Sequence, residues 1–305
     1  MWGFMIDAGS VDGAIIRECS VVTKDRYGAV AALLAGAGAW GLLWYPLRAF
    51  ARHGLSGVWL AVMLFAGASV AGLLLGRARK RAVTGPWRVW LALAVLGGVT
   101  NVGFVLAVLH DNILRVTLLF YLSPVWSVLL ARVFLRERFG LVVLAGIAAA
   151  LGGTVVLLWR DATLGLRFPD VLALISGASF AAANVTLRAH PRLSLEAKVV
   201  STFVGVVLVG LLVLGFGGHG GPSASGPVLA VATVFGGLGV FVMTWLVQYG
   251  VTALPVRQSA VILLFEVITA AFSQHVLLHT VLGAQAWWGT AIIALGATVV
   301  GAHES

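Results

Sequence analysis

Ten apolar stretches, each of about 20 residues, the length a helix needs to cross the ~30 Å hydrocarbon core of a bilayer, fill this chain almost end to end. They fall near 28–47, 57–76, 87–109, 115–135, 140–159, 168–188, 197–216, 226–249, 256–278 and 285–302. In lipid every backbone N–H and C=O has to be satisfied inside the segment, so stretches of this length predict helices. The expected fold is an all-α integral membrane protein of ten transmembrane helices. The composition leaves little for a soluble domain: 60% of residues are hydrophobic, 10% are charged, and the mean hydropathy is +1.03.

The net charge of +9 could suggest nucleic acid as a partner, but the basic residues flank the apolar stretches and do not gather on one face of a soluble domain. Their distribution predicts topology instead. Of the 20 Lys and Arg, 15 lie on the side that holds the N-terminus, including Arg17, Lys24, Arg26, Arg77, Arg79, Lys80, Arg81 and Arg88. The other side has Arg48, Arg52, Arg115, Arg160 and Arg167. By the positive-inside rule both termini are cytoplasmic, as in a multi-pass protein of a bacterial inner membrane. Residues 1–27 mix acidic and basic groups without an apolar h-region, and they read as a cytoplasmic tail. Cys19 is the single cysteine, which excludes an internal disulfide or a multi-cysteine metal site.

Ten spans divide into two sets of five. At an offset of 140, Leu47-Arg48-Ala49 falls on Leu187-Arg188-Ala189, Trp40 on Phe180, Arg52 on Arg192 and Leu55 on Leu195. At an offset of 144, Ala150-Leu151-Gly152 and Thr154-Val155-Val156 fall on Ala294-Leu295-Gly296 and Thr298-Val299-Val300. Five being odd, the second copy enters the membrane from the opposite face. The expected architecture is two inverted five-helix repeats, 28–160 and 161–305, around a central cavity that holds substrate near the midplane. The 38 glycines suit close helix approach.

The fourth stretch reads Tyr121-Leu122-Ser123-Pro124-Val125-Trp126 and leaves through Leu135-Arg136-Glu137-Arg138-Phe139-Gly140. A proline early in the span and a glutamate at its exit resemble the EamA family of the drug/metabolite transporter superfamily. The resemblance covers about 28–302 and implies ten spans, inverted halves and cytoplasmic termini. Trp40, the Leu47-Arg48 exit and the Tyr121-Leu122 pair look most like YddG-type amino-acid exporters. That likeness implies an amino acid or similar small metabolite as substrate and the lipid bilayer as solvent. Where the family often has Glu-Pro near the start of span nine and another Glu at its exit, this chain has Glu266-Val267 and Thr280.

Glu266 lies about ten residues into its span, and an ionisable side chain at that depth costs several kcal/mol unless it faces the bundle interior. Two readings stay open: a proton-responsive or amine-binding group, or a neutral carboxyl bonded to a neighbouring helix. Around it the candidate substrate-binding residues are Trp40, Trp44, Tyr45, Asn101, Tyr121, Trp126, Asn184, Thr244, Trp245, Gln248 and Gln258. The aromatics supply stacking area and a cation–π surface for an ammonium, and the amides can bond either end of an amino acid. Trp87, Trp90, Trp159, Trp287 and Trp288 sit at span ends and read as interfacial belts. Pro46 and Pro124 each remove a backbone donor and are candidate hinges.

His110-Asp111-Asn112 occupies a short turn, with no further His or acidic group at metal-ligand spacing. No catalytic residue, metal or cofactor is therefore implied, and no phosphate-cradling Gly-Lys-Ser/Thr motif is present. The expectation is a secondary exporter of amino acids, aromatic and other neutral ones first. A drug or metabolite exporter, or a membrane-embedded enzyme or scaffold, are the alternatives.

Overall fold

The computed structural model describes residues 26–78, 86–111, 113–136, 140–158, 166–190, 193, 195–216, 220–254, 262–263, 265–278 and 283–303. Helix occupies the described part of every one of the ten apolar stretches, and there is no strand among the described residues. The helices are α1 (Arg26–Arg52), α2 (Gly57–Ala78), α3 (Trp87–His110), α4 (Ile113–Phe120) and α5 (Ser123–Leu130), which runs into a wider π turn at Ala131–Leu135. They continue as α6 (Leu141–Leu158), α7 (Phe168–Ala189), α8 (Leu195–Phe216), α9 (Gly226–Phe235), a second π turn at Gly236–Val240, α10 (Phe241–Ala253), α11 (Phe265–Leu278) and α12 (Ala284–His303). Seven helical segments among the described residues are long and apolar enough to cross a membrane: Arg26–Arg52, Gly57–Gly76, Trp87–His110, Arg115–Leu135, Phe168–Leu187, Ala197–Phe216 and Gly226–Val251.

Two helices break where proline dictates. Pro46 has no N–H to give the carbonyl of Leu42, and α1 is interrupted at Leu43, whose N–H bonds to Trp40 instead. Pro124 likewise leaves the Phe120 carbonyl without its helical donor, and α4 ends there, followed by a turn at Tyr121-Leu122 before α5 starts. The freed Phe120 carbonyl lies against Gly177, where an added Cβ would stand 2.8 Å from it. The turn from α1 to α2 needs glycine for a different reason: Gly54 and Gly57 have φ of +84° and +62°.

Packing is between helices distant in sequence. α3 lies against α7 and α8, α2 against α8, α9 and the second π turn, α4 and α5 against α7, α11 against α4, and α6 against α12. Small residues bring these backbones together. Gly67 meets the carbonyl of Thr233, and Gly205 meets that of Ala94. Gly98 approaches the Gly205 carbonyl, and Gly237 that of Gly67. Gly36 faces the Met243 carbonyl, and Gly103 faces Ser176. A larger residue at these points would hold the helices apart, which is the physical use of small residues where lipid supplies no hydrophobic drive between helices.

The core is built from α1 to α4 with α8 to α10, around Trp44, Leu47, Leu60, Phe65, Leu119 and Phe203. A chain of ring contacts, Phe65 to Phe203 to Phe241 to Trp245, runs through it at centroid distances of 5.7, 6.3 and 5.8 Å. The outer surface is apolar, with Phe216, Val133, Phe134 and Trp288 all largely exposed, as suits a bundle whose solvent is lipid.

Candidate functional site

The most central polar contact joins α11 to the turn between α4 and α5. Tyr121 Oη lies 2.8 Å from Glu266 Oε2 and 3.1 Å from the backbone carbonyl of Leu263. Tyr121 is eight residues into its span from Ile113 and Glu266 is twelve from Leu278, so at 1.5 Å per residue both stand about 12–18 Å from the same end of the bundle, near its middle. The turn that Pro124 imposes sets the Tyr121 ring off the helix axis and lets the hydroxyl reach α11. Gly41 faces the same region: a Cβ there would stand 2.5 Å from the Glu266 carbonyl oxygen.

Trp44 is one turn beyond Gly41 on α1. It is only 1% exposed, and its Nε1 donates to Ser273 Oγ at 3.0 Å, while Ser273 in turn donates to the Ala270 carbonyl at 3.0 Å. Trp44 therefore ties α1 to α11 and its indole N–H is committed. Tyr45, edge-on to Trp44 at 5.8 Å, is 49% exposed and faces outward.

The remaining sequence-derived candidates are spread around this centre. Asn101 Nδ2 donates to the Gly97 carbonyl at 2.9 Å and Thr244 Oγ1 to that of Val240 at 2.7 Å, each within its own helix. Trp245 stacks on Phe241. Trp40 is half-buried against the core, and Asn184 and Gln248 are half-buried on α7 and α10. Trp126 has its Nε1 buried with no hydrogen-bond partner among the described residues, an orphan donor on α5. Gln258, with Glu137 and Thr280, lies outside the described residues. Pro46 and Pro124 both sit at interruptions of their helices.

A second polar cluster, not anticipated as such, lies at the end of the bundle that carries the turns 53–56 and 111–112. Asp170 is fully buried, and its Oδ1 and Oδ2 accept from Arg115 Nε at 2.7 Å and Nη2 at 2.8 Å, a bidentate pair. The backbone N–H of Arg167 also donates to Asp170 Oδ2 at 2.9 Å, capping α7. Arg167 Nη2 lies 2.8 Å from Asp111 Oδ2, and Arg48 Nη2 donates to the Asp111 carbonyl at 2.8 Å. α1, α3, α4 and α7 are thereby tied at one end. The signal was present in the sequence as complementary charges at span ends, Asp111 and Asp170 against Arg115 and Arg167. Nothing in one sequence pairs them. His110, beside this cluster, has Nδ1 at 2.7 Å from the Leu106 carbonyl, which fixes that nitrogen as a donor.

A half-open cavity of about 560 Å³ opens at the same end, lined among others by Ala51, Gly54, Trp59, Leu106, His110 and Ser223. It is separate from the Tyr121–Glu266 contact. Among the described residues no group of three His, Cys, Asp or Glu is arranged to hold a metal ion.

The fold is similar to that of a protein of solved crystal structure, with a TM-score of 0.64 and 19% identity over 89% of this chain and 94% of that one. No curated protein sequence matches the chain. Residues 26–159, a little under half of the chain, match the model of the EamA-like transporter family.

Proposed function

We propose that the chain is a secondary exporter that moves amino acids, aromatic and other neutral ones first, out of the cytoplasm across the inner membrane by alternating access. In this reading ten helices form two inverted halves of five, 28–160 and 161–305. Both termini are cytoplasmic, with residues 1–27 as a tail, and the end with turns 53–56 and 111–112 is outside.

The pattern of close contacts supports the two halves. Gly67 and Gly205, Ala94 and Thr233, Gly98 and Gly237, Gly36 and Ser176, and Gly103 and Met243 stand 138 to 140 positions apart. Shifting each member of the pair Gly67–Thr233 by that interval gives Gly205–Ala94, with the roles of the halves exchanged. The same operation turns Gly98–Gly205 into Gly237–Gly67, and Gly36–Met243 into Ser176–Gly103. A pseudo-two-fold axis in the membrane plane has this effect, and substrate sites of such transporters lie near it at mid-depth.

One observation carries the functional reading: the Tyr121–Glu266 hydrogen bond, which links the fourth span of one half to the fourth span of the other at that depth. A carboxylate there can receive an ammonium group, and the orphan N–H of Trp126, 140 positions from Glu266, can receive an acceptor. Export of a drug or other metabolite is the second reading, favoured by the burial of Trp44, which removes one stacking surface from the set an aromatic substrate would use. Cells overproducing the protein are expected to resist toxic analogues of aromatic and other neutral amino acids by lowering their internal concentration. Unchanged internal levels, with the protein present in the membrane, would favour the second reading.

A further inference from the structure

The interval that relates the glycine contacts also relates the two ends of the bundle, and there the chemistry differs. At the end with turns 53–56 and 111–112, Arg115 and Asp170 pair α4 with α7, and Arg167 pairs with Asp111, just past α3. Both members of the first pair are buried. Arg48 brings in α1 through the Asp111 carbonyl. Shifted by 139 positions, Asp111 falls on Gly250 and Arg115 on Leu254; shifted back by 140, Asp170 falls on Val30.

Those three positions lie together at the opposite end, in an apolar cluster. Ala29, Leu33 and Leu254 are buried, and Val30, Val247, Ile262 and Leu263 pack against them. A Cβ at Gly250 would stand 2.5 Å from Leu33 Cβ and 3.0 Å from the Ala29 carbonyl oxygen, so α1 and α10 touch there. The first cluster joins α7 to α3 and α4; the second joins α1 to α10 and the residues before α11. Tyr121 links the two. It stands six residues beyond Arg115, and its hydroxyl lies 3.1 Å from the carbonyl of Leu263 in the apolar cluster.

The two closures differ in what separation costs. Parting an apolar cluster exposes hydrocarbon to water. Parting a buried ion pair loses its attraction but restores the hydration of both charges, so such a pair holds helices less firmly than apolar side chains of similar volume. Water already reaches this end, since the Arg167 side chain is 43% exposed.

We propose that these clusters are the two gates of the transport path, ionic at Arg115–Asp170 and Arg167–Asp111, apolar at Ala29, Leu33 and Leu254, and that the ionic gate opens the more readily. The proposal rests on the reading of the chain as an alternating-access transporter in two inverted halves, whatever its cargo. Opening the ionic gate moves α7 away from α3 and α4. Opening the apolar gate moves α1 away from α10, beside the Leu263 carbonyl that Tyr121 reaches.

Spin-label distances across each end of the full-length protein in liposomes test this, in a Cys19→Ser background. Labels at His53→Cys and Leu166→Cys span the ionic end, and labels at Tyr27→Cys and Ala253→Cys span the apolar end; all four side chains are exposed. The parent is expected to show a shorter and a longer distance across the ionic end. In the double variant Arg115→Met with Asp170→Leu, the longer population is expected to fall about tenfold while thermal unfolding shows an intact protein. Arg167→Gln keeps the buried pair and is expected to raise the longer population, which decides the matter should the double variant not fold. A longer population that is the same in Arg167→Gln as in the parent, or that persists in the folded double variant, overturns the ionic gate. A longer population across the parent's apolar end that equals or exceeds the one across its ionic end overturns the ranking of the two. If the parent carries no labelled phenylalanine yet the distances respond as expected, the amino-acid reading fails and the gates stand.

Discussion

Tyr121 and Glu266 lie 145 positions apart in the chain and 2.8 Å apart in space, joining the turn between α4 and α5 to α11. The turn at Tyr121-Leu122, forced by Pro124, lets one hydroxyl reach both the carboxyl of Glu266 and the carbonyl of Leu263. It has one hydrogen for two acceptors, so the contact is sensitive to whatever else approaches Glu266.

The first prediction concerns that contact. Glu266→Gln keeps the size and a hydrogen-bonding partner for Tyr121 but removes the ionisable group, so transport in liposomes is expected to lose most of its pH dependence while the protein stays folded. Tyr121→Phe retains the carboxyl and with it the pH dependence. A Glu266→Gln protein that transports with the parent's pH profile would reduce Glu266 to a packing role.

The second concerns the buried pair. Removing one partner of a buried ion pair leaves an uncompensated charge and costs about 3–5 kcal/mol. Asp170→Ala strands Arg115 and is expected to lower stability by that order, whereas the double replacement Arg115→Met with Asp170→Ala recovers much of the loss. Equilibrium unfolding in mild detergent measures both. A single variant as stable as the parent would mean that Arg115 finds other solvation.

The third follows from the paired glycines. A Cβ at Gly67 would collide with the Thr233 carbonyl and one at Gly205 with that of Ala94, so Gly67→Ala and Gly205→Ala are expected to destabilise by similar amounts, about 1–3 kcal/mol each. Gly76, with nothing within 4 Å of an added Cβ, is the control, and Gly76→Ala is expected to be neutral or stabilising by its helix propensity. Thermal unfolding of the three variants, with a large loss at only one of the paired glycines, would argue against equivalent positions.

The fourth concerns topology. A reporter active only outside the cytoplasm is expected to work when fused near Gly221, in the turn between α8 and α9, and to fail near Arg79, on the side with the basic bias. Activity at Arg79 and silence at Gly221 would reverse the assigned sides, and with them the direction of transport.

What the sequence revealed and what it hid have one physical origin. Span positions were legible because hydropathy over about 20 residues reports the solvent directly. The breaks near Leu43 and Tyr121 were legible because Pro46 and Pro124 remove identifiable donors. Which face of each helix points inward was not. In lipid the outside is as apolar as the inside, so periodicity that would orient a helix in water is nearly absent. Trp44, Tyr45 and Trp126 therefore looked alike, yet Trp44 is bonded to Ser273, Tyr45 faces outward, and Trp126 keeps a buried free donor. Arg115 and Asp170 could be used for topology and interfacial charge but not paired, because 55 residues and two further helices, α5 and α6, separate them.

The most direct test of the account is transport by the purified protein in liposomes loaded with labelled phenylalanine. The account predicts release or exchange of chemically unchanged phenylalanine, faster than from protein-free vesicles. Phenylalanine that stays inside, or that emerges chemically altered, would contradict it.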